Sequence, residues 1–359
     1  MVNLTLSVCL SMALVVGTLH ATSLRAGKAE IKSAGPLAFG PAGILFAGDS
    51  LGGSVFALDV NDSTPGKAVP VEIEGINLKI AALLGTTPDQ ILIQDMAVHP
   101  VSKNVYFSVS RGRGPEAVPV ILRTNAAGKI SEVSLDNVKH ASVSLADAPD
   151  ANAKDNRGNS KRMEAITDLA YVNGNIVVAG LSNEDFASSL RSIPYPFQNA
   201  GKGTGIEIFH GAHGRFETNA PVRTFVPYSI GNKPYILAAY TCTPLVRIPV
   251  SELTPGNKVK GTTIAELGNR NRPLDMIAYE KGGRPFILMA NSSRGVMKLP
   301  ADGLDAYQPI TAQTEKQGVP YETIATLKGV QQLDKYDDTR ALLLSDEAGS
   351  LHLRAIALP

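Results

Sequence analysis

The chain has 359 residues, and its 34 Lys and Arg against 33 Asp and Glu give a net charge of +1. A balance this close to neutral excludes a global electrostatic field that would collect nucleic acid or anionic membrane, so a partner has to be recognised locally. The 33 Gly, 23 Pro and 6% aromatic residues are typical of many short strands joined by turns.

The first 26 residues have the pattern of an export signal. An apolar run, LTLSVCLSMALVV, starts near the N-terminus and is followed by small residues. A signal peptidase could cut after Ala21 or after Ala26. We therefore expect residues 1–26 to be a signal peptide and residues 27–359 to form one periplasmic or secreted domain without a membrane span. An uncleaved anchor is the alternative, because no Lys or Arg precedes the apolar run. Cleavage would leave Cys242 as the only thiol, and hence no internal disulfide.

From residue 36 onwards a hairpin pattern recurs six times. In one copy, two apolar segments (DLAYV and IVVAGLS) are separated by Asn173-Gly174, the strongest short-range hairpin signal. The other copies begin at Pro36, Asp95, Pro227, Asp275 and Gln332. A polar loop and a third apolar segment follow each hairpin: SVFALDV, PVILRTN, GIEIFHG, PLVRIPV, RGVMKLP and SLHLRAI.

Most copies add a candidate fourth strand, among them PVEIE, KISEVSL, PVRTFV and GTTIAEL, at a period of roughly 50–70 residues. The sequence therefore predicts an all-β fold, a six-bladed β-propeller of four-stranded antiparallel blades. The last copy ends after its third strand. We expect an N-terminal outer strand, residues 29–33 (AEIKS), to pair with it, because closing the ring removes an open edge.

The stretch GPLAFGPAGILFAGDSLGGSVFALDV resembles the repeat of secreted six-bladed propellers in the NHL-repeat, TolB-like and gluconolactonase-type group. The likeness lies in the blade pattern and covers residues 30–359. The resemblance implies a central channel, in which gluconolactonase-type members hold a divalent cation with a glutamate at the start of the first blade and with Asn and Asp from other blades. In this sequence Ala34-Gly35-Pro36 stand where that glutamate is expected.

Long insertions fall on one face of the predicted propeller, which we call the long-loop face: it carries the loops that enter the inner strands and those between second and third strands. Besides the helix-like INLKIAALLGTTPDQ, two insertions, residues 145–164 and 183–205, flank the third blade, so we expect a pocket there. The HGAHG turn with His210 and His213 is predicted to lie on the opposite face, as an ordinary turn rather than a metal site. Cys242 is expected to be a buried, inert thiol.

Three aspartates, Asp95, Asp168 and Asp275, each begin an inner strand at the predicted channel mouth. Their carboxylates are hard oxygen ligands of the kind that Ca²⁺ or another divalent cation prefers. The competing interpretation is structural, since an Asp at a strand start accepts hydrogen bonds from free backbone amides. The sequence leaves both interpretations open.

Arginine is the second recurrent feature of the long-loop face, where Arg111, Arg113, Arg162, Arg270, Arg272 and Arg294 are all predicted to lie. Their forked donors suit a carboxylate or phosphate ligand, although pairing with neighbouring acidic groups is the alternative. We predict a ligand-binding set with polar and charged side chains at Arg111, Arg113, Asn183, Glu184, Asp185, Asn291 and Arg294. Three aromatic residues are candidates for a lid or a contact surface: Phe186, Tyr195 and Phe197.

These features predict an exported, monomeric binding module that recognises a small anionic ligand, a peptide or a protein partner, and not nucleic acid. The alternative is an enzyme, a divalent-cation-dependent hydrolase or lactonase whose metal at the channel mouth polarises a carbonyl or activates water. The sequence contains no nucleophile elbow, P-loop, dinucleotide fingerprint or haem-attachment motif, so those enzyme classes are disfavoured.

Overall fold

The computed structural model describes residues 23–242 and 244–359. Their strands form six sheets around a central channel, each built on four antiparallel strands, which confirms the six-bladed β-propeller. We number the blades by the order of their inner strands along the chain. From blade 1 to blade 6, the inner strands are Leu37–Phe39, Ile91–Val98, Asp168–Val172, Thr224–Ile230, Pro273–Lys281 and Val330–Lys335.

Each blade continues outwards through three further strands, in the same blade order. The second strands are Ile44–Asp49, Val105–Arg111, Asn175–Leu181, Lys233–Ala239, Arg284–Asn291 and Arg340–Glu347. The third strands are Ser54–Asp59, Val118–Thr124, Ser188–Pro194, Pro244–Pro249, Gly295–Pro300 and Ser350–Ala357. The fourth strands are Val138–Ser144, Ile130–Val133, Thr204–His210, Thr262–Leu267, Glu322–Thr323 and Glu72–Ile73.

Short strands extend three of the blades at their outer edges. Arg25–Gly27 is added to blade 1, Arg215–Glu217 and Lys258–Lys260 to blade 3, and Lys316–Gly318 to blade 4. Short 3₁₀ turns occur at Pro41–Gly43, Pro88–Gln90, Gly114–Glu116, Arg162–Glu164, Gly211–His213 and Val250–Glu252.

The hydrophobic core is divided among the blade interfaces. Within the described residues, six clusters of buried apolar side chains form, and each joins one neighbouring pair of blades. Phe46, fully buried between blades 1 and 3, contacts Tyr195 and Phe197 edge-on, at ring-centroid distances of 4.9 and 6.0 Å. Stability therefore comes from packing blade against blade, since burial of apolar surface is the main favourable term in folding.

The blades do not follow one another around the ring in chain order. Contacts between inner strands place blade 3 beside blade 1, then blades 4, 5 and 6, and place blade 2 between blade 6 and blade 1. The chain builds three strands of blade 1, crosses to blade 6, returns to build blade 2, and only then adds the outer strand Val138–Ser144 to blade 1. Two blades are therefore interleaved.

The crossing segment, residues 60–71, is fastened to blade 2 by one carboxylate. Asp62 Oδ2 accepts hydrogen bonds from Ser102 Oγ (2.7 Å), Tyr106 Oη (2.8 Å) and Asn104 Nδ2 (2.9 Å). The Gly66 amide also donates to the Val101 carbonyl at 3.0 Å. Burial alone would raise the pKa of Asp62, but these side-chain hydrogen bonds outweigh it and hold the pKa below its usual value.

The last blade takes its outer strand from the N-terminal part of the chain, as predicted, but a different segment provides it. Glu72–Ile73 pairs with Ser350–Ala357, whereas residues 29–33 form no strand. The segment PVEIE therefore completes blade 6, and the prediction that it adds a fourth strand to its own copy is wrong. The reason is that residues 60–71 run along blade 2 to reach blade 6 before Glu72–Ile73 pairs. A local hairpin pattern carries no information about such a crossing.

Blade 3 also differs from the prediction. Ser188–Pro194 is its third strand, so that GIEIFHG becomes the fourth strand and PVRTFV enters blade 4. The sequence pattern did not indicate this strand because it contains polar residues. One of them, Arg191, is buried in an ion pair with Asp147 at 2.6 Å, although a charged side chain usually indicates a loop. As a consequence, the His210–His213 turn ends a fourth strand and lies on the long-loop face, not opposite it.

The helix-like segment forms the helix Ile76–Leu83 and packs over the end of blade 6, as its Leu/Ile pattern indicates. Ile76 and Ile80 are fully buried. The Asn77 side chain donates to the Gly349 carbonyl at 2.9 Å and accepts from the Leu351 amide at 2.9 Å. Across residues 23–242 and 244–359, no helix has the length and apolarity needed to cross a membrane.

Candidate functional site at the mouth of the channel

A ring of aspartates surrounds the waist of the central channel. Asp168 shows the arrangement: its Oδ1 accepts from the following amide, Leu169, at 2.7 Å, and its Oδ2 accepts from the Phe225 amide of blade 4 at 2.7 Å. Three more aspartates make the same pair of contacts with their own strand and a neighbouring blade: Asp95 with Met96 and Leu37, Asp275 with Met276 and Leu333, and Asp334 with Lys335 and Val98. Each carboxylate is therefore a bridge between two blades.

The local backbone explains how two of these side chains reach the neighbouring blade. A bulge lies immediately before Asp95 and another before Asp275, where the register with the second strand shifts by one residue. A bulge bends its strand and re-aims the next side chain. Asp334 was not among the predicted site residues, although the sixth copy shows it in QLDKY.

The buried position of the ring disfavours its negative charge. Burial is the main cause that raises the pKa of Asp168 to about 7 and that of Asp334 to about 6. Burial and repulsion from the other ring carboxylates also raise the pKa of Asp95 and of Asp275. The two amide hydrogen bonds act in the opposite sense on each group and are outweighed.

The geometry bears on the predicted metal site at Asp95, Asp168 and Asp275. Within the described part of the chain, these three carboxylates do not form a set with ligand oxygens within 4.8 Å of one another. Each also has both oxygens engaged by amides. The arrangement favours the structural interpretation of the ring, and a divalent cation bound there stays a prediction.

A cavity of about 550 Å³ opens from the ring to the long-loop face. Its floor carries Asp95, Asp168 and Asp275, and these also border a cavity of about 620 Å³ on the opposite face. The rim is polar and carries charges of both signs. It includes Arg223, Arg272, Glu164, Asp346, Thr167, Gln94 and Gln332.

The two rim arginines differ in their partners. Arg223 Nη1 lies 2.5 Å from Glu164 Oε2, and its Nε donates to Thr241 Oγ1 at 3.2 Å. Among the residues that the structure describes, none forms a hydrogen bond or ion pair with the guanidinium of Arg272. Arg272 is exposed at the rim, where partial desolvation and the nearby Arg223 lower its pKa and Glu164 acts in the opposite sense. Two guanidinium groups therefore border the same cavity: that of Arg223 is paired, whereas that of Arg272 has no hydrogen-bond or ion-pair partner among the described residues.

The predicted ligand-binding residues lie on the long-loop face but do not converge. They are distributed over blades 2, 3 and 5, and none of the seven lines the cavity. On blade 2, Arg111 is exposed, whereas Arg113 donates to the backbone carbonyls of Asp89 (2.8 Å) and Ile91 (3.1 Å). Arg113 therefore braces its own blade.

The remaining predicted residues divide in the same way. Asn183, Glu184 and Asp185 are exposed at a loop tip, where Glu184 pairs with Lys202 at 2.8 Å. Asn291 is buried, donates to Asn271 Oδ1 at 2.8 Å, and accepts the amides of Ser293 and Arg294. Arg294 Nη2 donates to the Asn269 carbonyl at 2.8 Å.

The proposed aromatic lid is wrong for two of its three members. Phe197 is fully buried between blades 1 and 3, and Tyr195 packs against it at a centroid distance of 5.5 Å. Both follow the third strand of blade 3, in a stretch that the sequence pattern assigns to a long loop. Phe186 is half-buried, with the Lys258 ammonium 4.4 Å from its ring centroid.

Sequence reasoning missed Arg223 and did not choose Arg272. Both directly precede an inner strand, Arg223 before Thr224–Ile230 and Arg272 before Pro273–Lys281. That position places a side chain at the channel mouth in any propeller, and it is the signal that could have found them.

Comparison with known proteins finds similar folds among solved structures but shows no family. No family model matches the chain. No curated protein matches it either. Among solved structures, a putative oxidoreductase (glucose dehydrogenase) from Thermus thermophilus is 11% identical, with 93% of this chain and 100% of that chain covered, at a TM-score of 0.33.

Two further structures match over a similar span. The PQQ-bound aldose sugar dehydrogenase from Streptomyces coelicolor is 9% identical, with 94% of this chain and 97% of that chain covered, at a TM-score of 0.35. The plexin A4 extracellular region is 8% identical, with 94% and 40% covered, at a TM-score of 0.40. With every TM-score here below 0.5, these similarities carry no argument about the site or its chemistry.

Proposed function

We propose that the protein binds a small molecule with a carboxylate or phosphate group at the channel mouth on the long-loop face. The observation that carries this proposal is the guanidinium of Arg272, which has no partner among the described residues and borders a cavity of about 550 Å³. That volume lies in the range of small-molecule sites. A guanidinium offers paired donors that match carboxylate and phosphate oxygens, and its binding is strongest where water is partly excluded.

The surrounding residues support an anionic group at the rim and polar groups below it. Glu164 forms its ion pair with Arg223 and acts on Arg272 only through its field, so the donors of the Arg272 guanidinium stay open to a ligand. The raised pKa values of Asp168 and its neighbours reduce the negative charge of the floor, so repulsion of an anion is weakened there. A hydroxyl or amide of the ligand would find acceptors and donors at the glutamines of the rim, Gln94 and Gln332.

The experiment is isothermal titration calorimetry with succinate, citrate and inorganic phosphate, and with glucose as a neutral control. We expect binding of at least one anion, weakened roughly tenfold or more in Arg272→Ala, because a charged hydrogen-bonded pair is worth about 1.5–3 kcal/mol. Arg111→Ala is the matched control, since Arg111 is an exposed arginine of the same face that does not line the cavity.

Three outcomes separate the hypotheses. Equal binding by the wild type and Arg272→Ala would reject this site, and loss in Arg111→Ala alone would favour the residues predicted from sequence. No binding of any anion would leave a peptide or protein partner as the function of the face. The alternative function, a divalent-cation-dependent hydrolase or lactonase, is supported only by the four ring carboxylates. Lactone hydrolysis that depends on added Ca²⁺ would favour it.

We also propose that the protein is exported and monomeric, with residues 1–26 as its signal peptide. The support is the apolar run and the small residues after it. Residues 1–22 lie outside the described residues, so this expectation rests on the sequence. Cleavage after Ala21 would keep the edge strand Arg25–Gly27, whereas cleavage after Ala26 would remove most of it. The intact mass of the mature protein distinguishes these products from an uncleaved anchor.

A further inference from the structure

A second group of ligand side chains lies on the long-loop face, at the boundary of blades 3 and 4. One ring nitrogen of His210, one of His213 and the Sγ of Cys242 all lie within 4.8 Å of one another. The two imidazole rings are 3.9 Å apart between centroids. Within residues 23–242 and 244–359, this is the only group of three or more His, Cys, Asp and Glu side chains that meets so closely.

Glu217 fixes the orientation of both imidazoles. Its Oε2 lies 2.9 Å from His210 Nδ1 and its Oε1 lies 2.8 Å from His213 Nδ1. Both Nδ1 atoms lie at hydrogen-bond distance from one carboxylate, which also accepts from Arg215 Nε at 3.1 Å, so each ring donates its Nδ1–H to Glu217. With Nδ1–H donated in each ring, the atom left to bind a metal is Nε2. In metal sites this carboxylate–histidine arrangement sets the tautomer and raises the basicity of the ligand.

The unengaged ring nitrogen of His210 is the second observation that points to a ligand. The His210 residue is only 2% exposed, and its Nε2 is buried with no hydrogen-bond partner among the residues that the structure describes. A buried polar atom without a partner costs free energy, so such atoms are rare in native structures. A bound cation would satisfy this nitrogen. His213 is exposed, and Cys242 is half-buried, so the expectation of a buried thiol is wrong. These two residues leave a route for the ion from solvent.

The backbone around the group holds its ligands in place. Glu266, fully buried, accepts the Gly211 amide at 2.5 Å, and a Cβ at position 211 would come within 2.7 Å of the Glu266 side chain. Gly211 thus lets the turn pack against blade 4. On that blade, Cys242 has φ 62°, in the left-handed region that non-glycine residues seldom adopt, and its amide donates to the Asn271 carbonyl at 2.8 Å.

We propose that His210, His213 and Cys242 bind one transition-metal ion of the zinc or copper class. Two imidazoles and one thiolate are borderline-soft donors, which suit Zn²⁺ or copper and do not suit Ca²⁺ or Mg²⁺, which prefer oxygen. The three ligand atoms lie within 4.8 Å of one another here. Metal–ligand bonds of about 2.0–2.3 Å require them to lie closer together than that limit, which small side-chain rotations would achieve. The fourth position stays open to water or to a ligand.

Binding requires the thiolate, so the Cys242 thiol loses its proton to solvent as the metal–sulfur bond forms. The metal affinity should therefore increase with pH, and titration in buffers of different ionisation enthalpy should report proton release. No oxidation or reduction is involved. The site is independent of the proposed anion site, because His210, His213 and Cys242 do not line the channel cavity.

The test uses the untagged full-length chain with Cys9→Ser, so that Cys242 is the single thiol. After dialysis against a chelator, the protein is titrated with Zn²⁺ in competition with a chromophoric chelator, and separately with Co²⁺ and Cu²⁺. We expect one equivalent bound and a thiolate-to-metal charge-transfer band with Co²⁺ or Cu²⁺. Tighter binding of Zn²⁺ or of copper identifies the ion class, and bound metal should protect Cys242 from alkylation.

Cys242→Ser and His213→Ala should each weaken binding at least tenfold and abolish or shift the charge-transfer band. His140→Ala is the matched control, since His140 lies on the outer strand of blade 1 away from the group. Glu217→Gln tests a positioning residue: loss of a carboxylate behind metal-bound histidines weakens metal binding about 10–100-fold. Its readout is the metal affinity at an unchanged melting temperature of the metal-free protein.

The inference is overturned if the wild type binds no equivalent of any of the three metals, or if Cys242→Ser binds as tightly as the wild type with the same spectrum. Cys242→Ser is nearly isosteric and His213 is exposed, so these variants fold even if a replacement of the buried His210 does not. A metal that binds equally to the His140→Ala and Cys242→Ser proteins would lie elsewhere.

Discussion

The aspartate ring of the channel and the His210–His213–Cys242 group are both concentrations of metal-ligand side chains, yet they differ in what their ligand atoms contact. Each ring carboxylate accepts two backbone amides, one of them from a neighbouring blade. In the histidine group, Glu217 orients both rings, while the Nε2 of His210 has no hydrogen-bond partner within residues 23–242 and 244–359. The comparison shows that residue type alone does not indicate a binding site. A better indication is a ligand atom that has no hydrogen-bond partner and lies among side chains whose orientation is fixed.

The same division separates the arginines of the long-loop face. Arg113 and Arg294 donate to backbone carbonyls and so belong to the frame, whereas the Arg272 guanidinium borders the channel cavity without a hydrogen-bond partner among the described residues. Framework groups are expected to affect stability, and the groups without partners are expected to affect binding.

The largest expected effect breaks the framework side of this comparison. In Asp168→Ala, the amides of Leu169 and Phe225 lose their acceptor in a buried setting, and we expect a loss of roughly 2–5 kcal/mol in the free energy of unfolding. His213→Ala, in the metal-free protein, should cost less than about 1 kcal/mol, because it removes a partly exposed side chain. Urea denaturation of the two variants measures both values.

Asp338→Ala is the control for this prediction. The Asp338 side chain is 96% exposed and pairs with Lys335 at 2.8 Å, so its removal should change stability by under about 0.5 kcal/mol. A loss in Asp168→Ala no larger than that of the control would mean that the ring does not hold the blades together, and would return the aspartates to the metal hypothesis.

A slightly smaller effect is expected at the crossing segment, where a framework carboxylate lies outside the channel. Asp62→Ala leaves the Ser102, Asn104 and Tyr106 side chains without their shared acceptor, and we expect a loss of roughly 2–4 kcal/mol. Asp136→Ala, an exposed loop residue, should leave the unfolding midpoint unchanged. Faster proteolysis within residues 60–71 of Asp62→Ala would show that the segment has come loose, and unchanged stability would contradict its fastening role.

The blades could be predicted from sequence because their signal is local. Alternating strands and turns such as Asn173-Gly174 identify a hairpin wherever the chain later places it. The order of blades around the ring could not, since it depends on where residues 60–71 cross and on the pairing of Glu72–Ile73 with Ser350–Ala357. In that pairing Ile73 lies opposite Leu353, far away along the chain, and short polar strands carry little pattern.

The candidate sites were predicted in part for the same reason. The aspartates were found because each lies at a fixed place in its copy, but one sequence does not show whether a carboxylate meets an amide or an ion. The His210–His213–Cys242 group was missed through a single error of strand count in blade 3, where the buried Arg191–Asp147 pair disguised a strand as a loop. That error moved the histidines to the wrong face and separated them from Cys242.

The smallest expected effect sharpens the account of the ring through its dependence on pH. The folded-state pKa of Asp168 is about 7 and that of Glu266 is about 8, both raised mainly by burial above the values of the unfolded chain. Above the unfolded pKa values near 4, the unfolded carboxylates are ionised while the folded ones still bind protons, so stability falls as pH rises and levels off above about pH 7 for Asp168 and about pH 8 for Glu266. We expect a loss of roughly 1–3 kcal/mol in the window from about pH 6.5 to about pH 8. Melting temperatures across it measure the slope, and Asp168→Asn, which cannot titrate there, should show a shallower one. A melting temperature of the wild type that stays constant over the same window, as it should if neither carboxylate titrates there, would mean that the two amides, and not burial, set the charge of the ring.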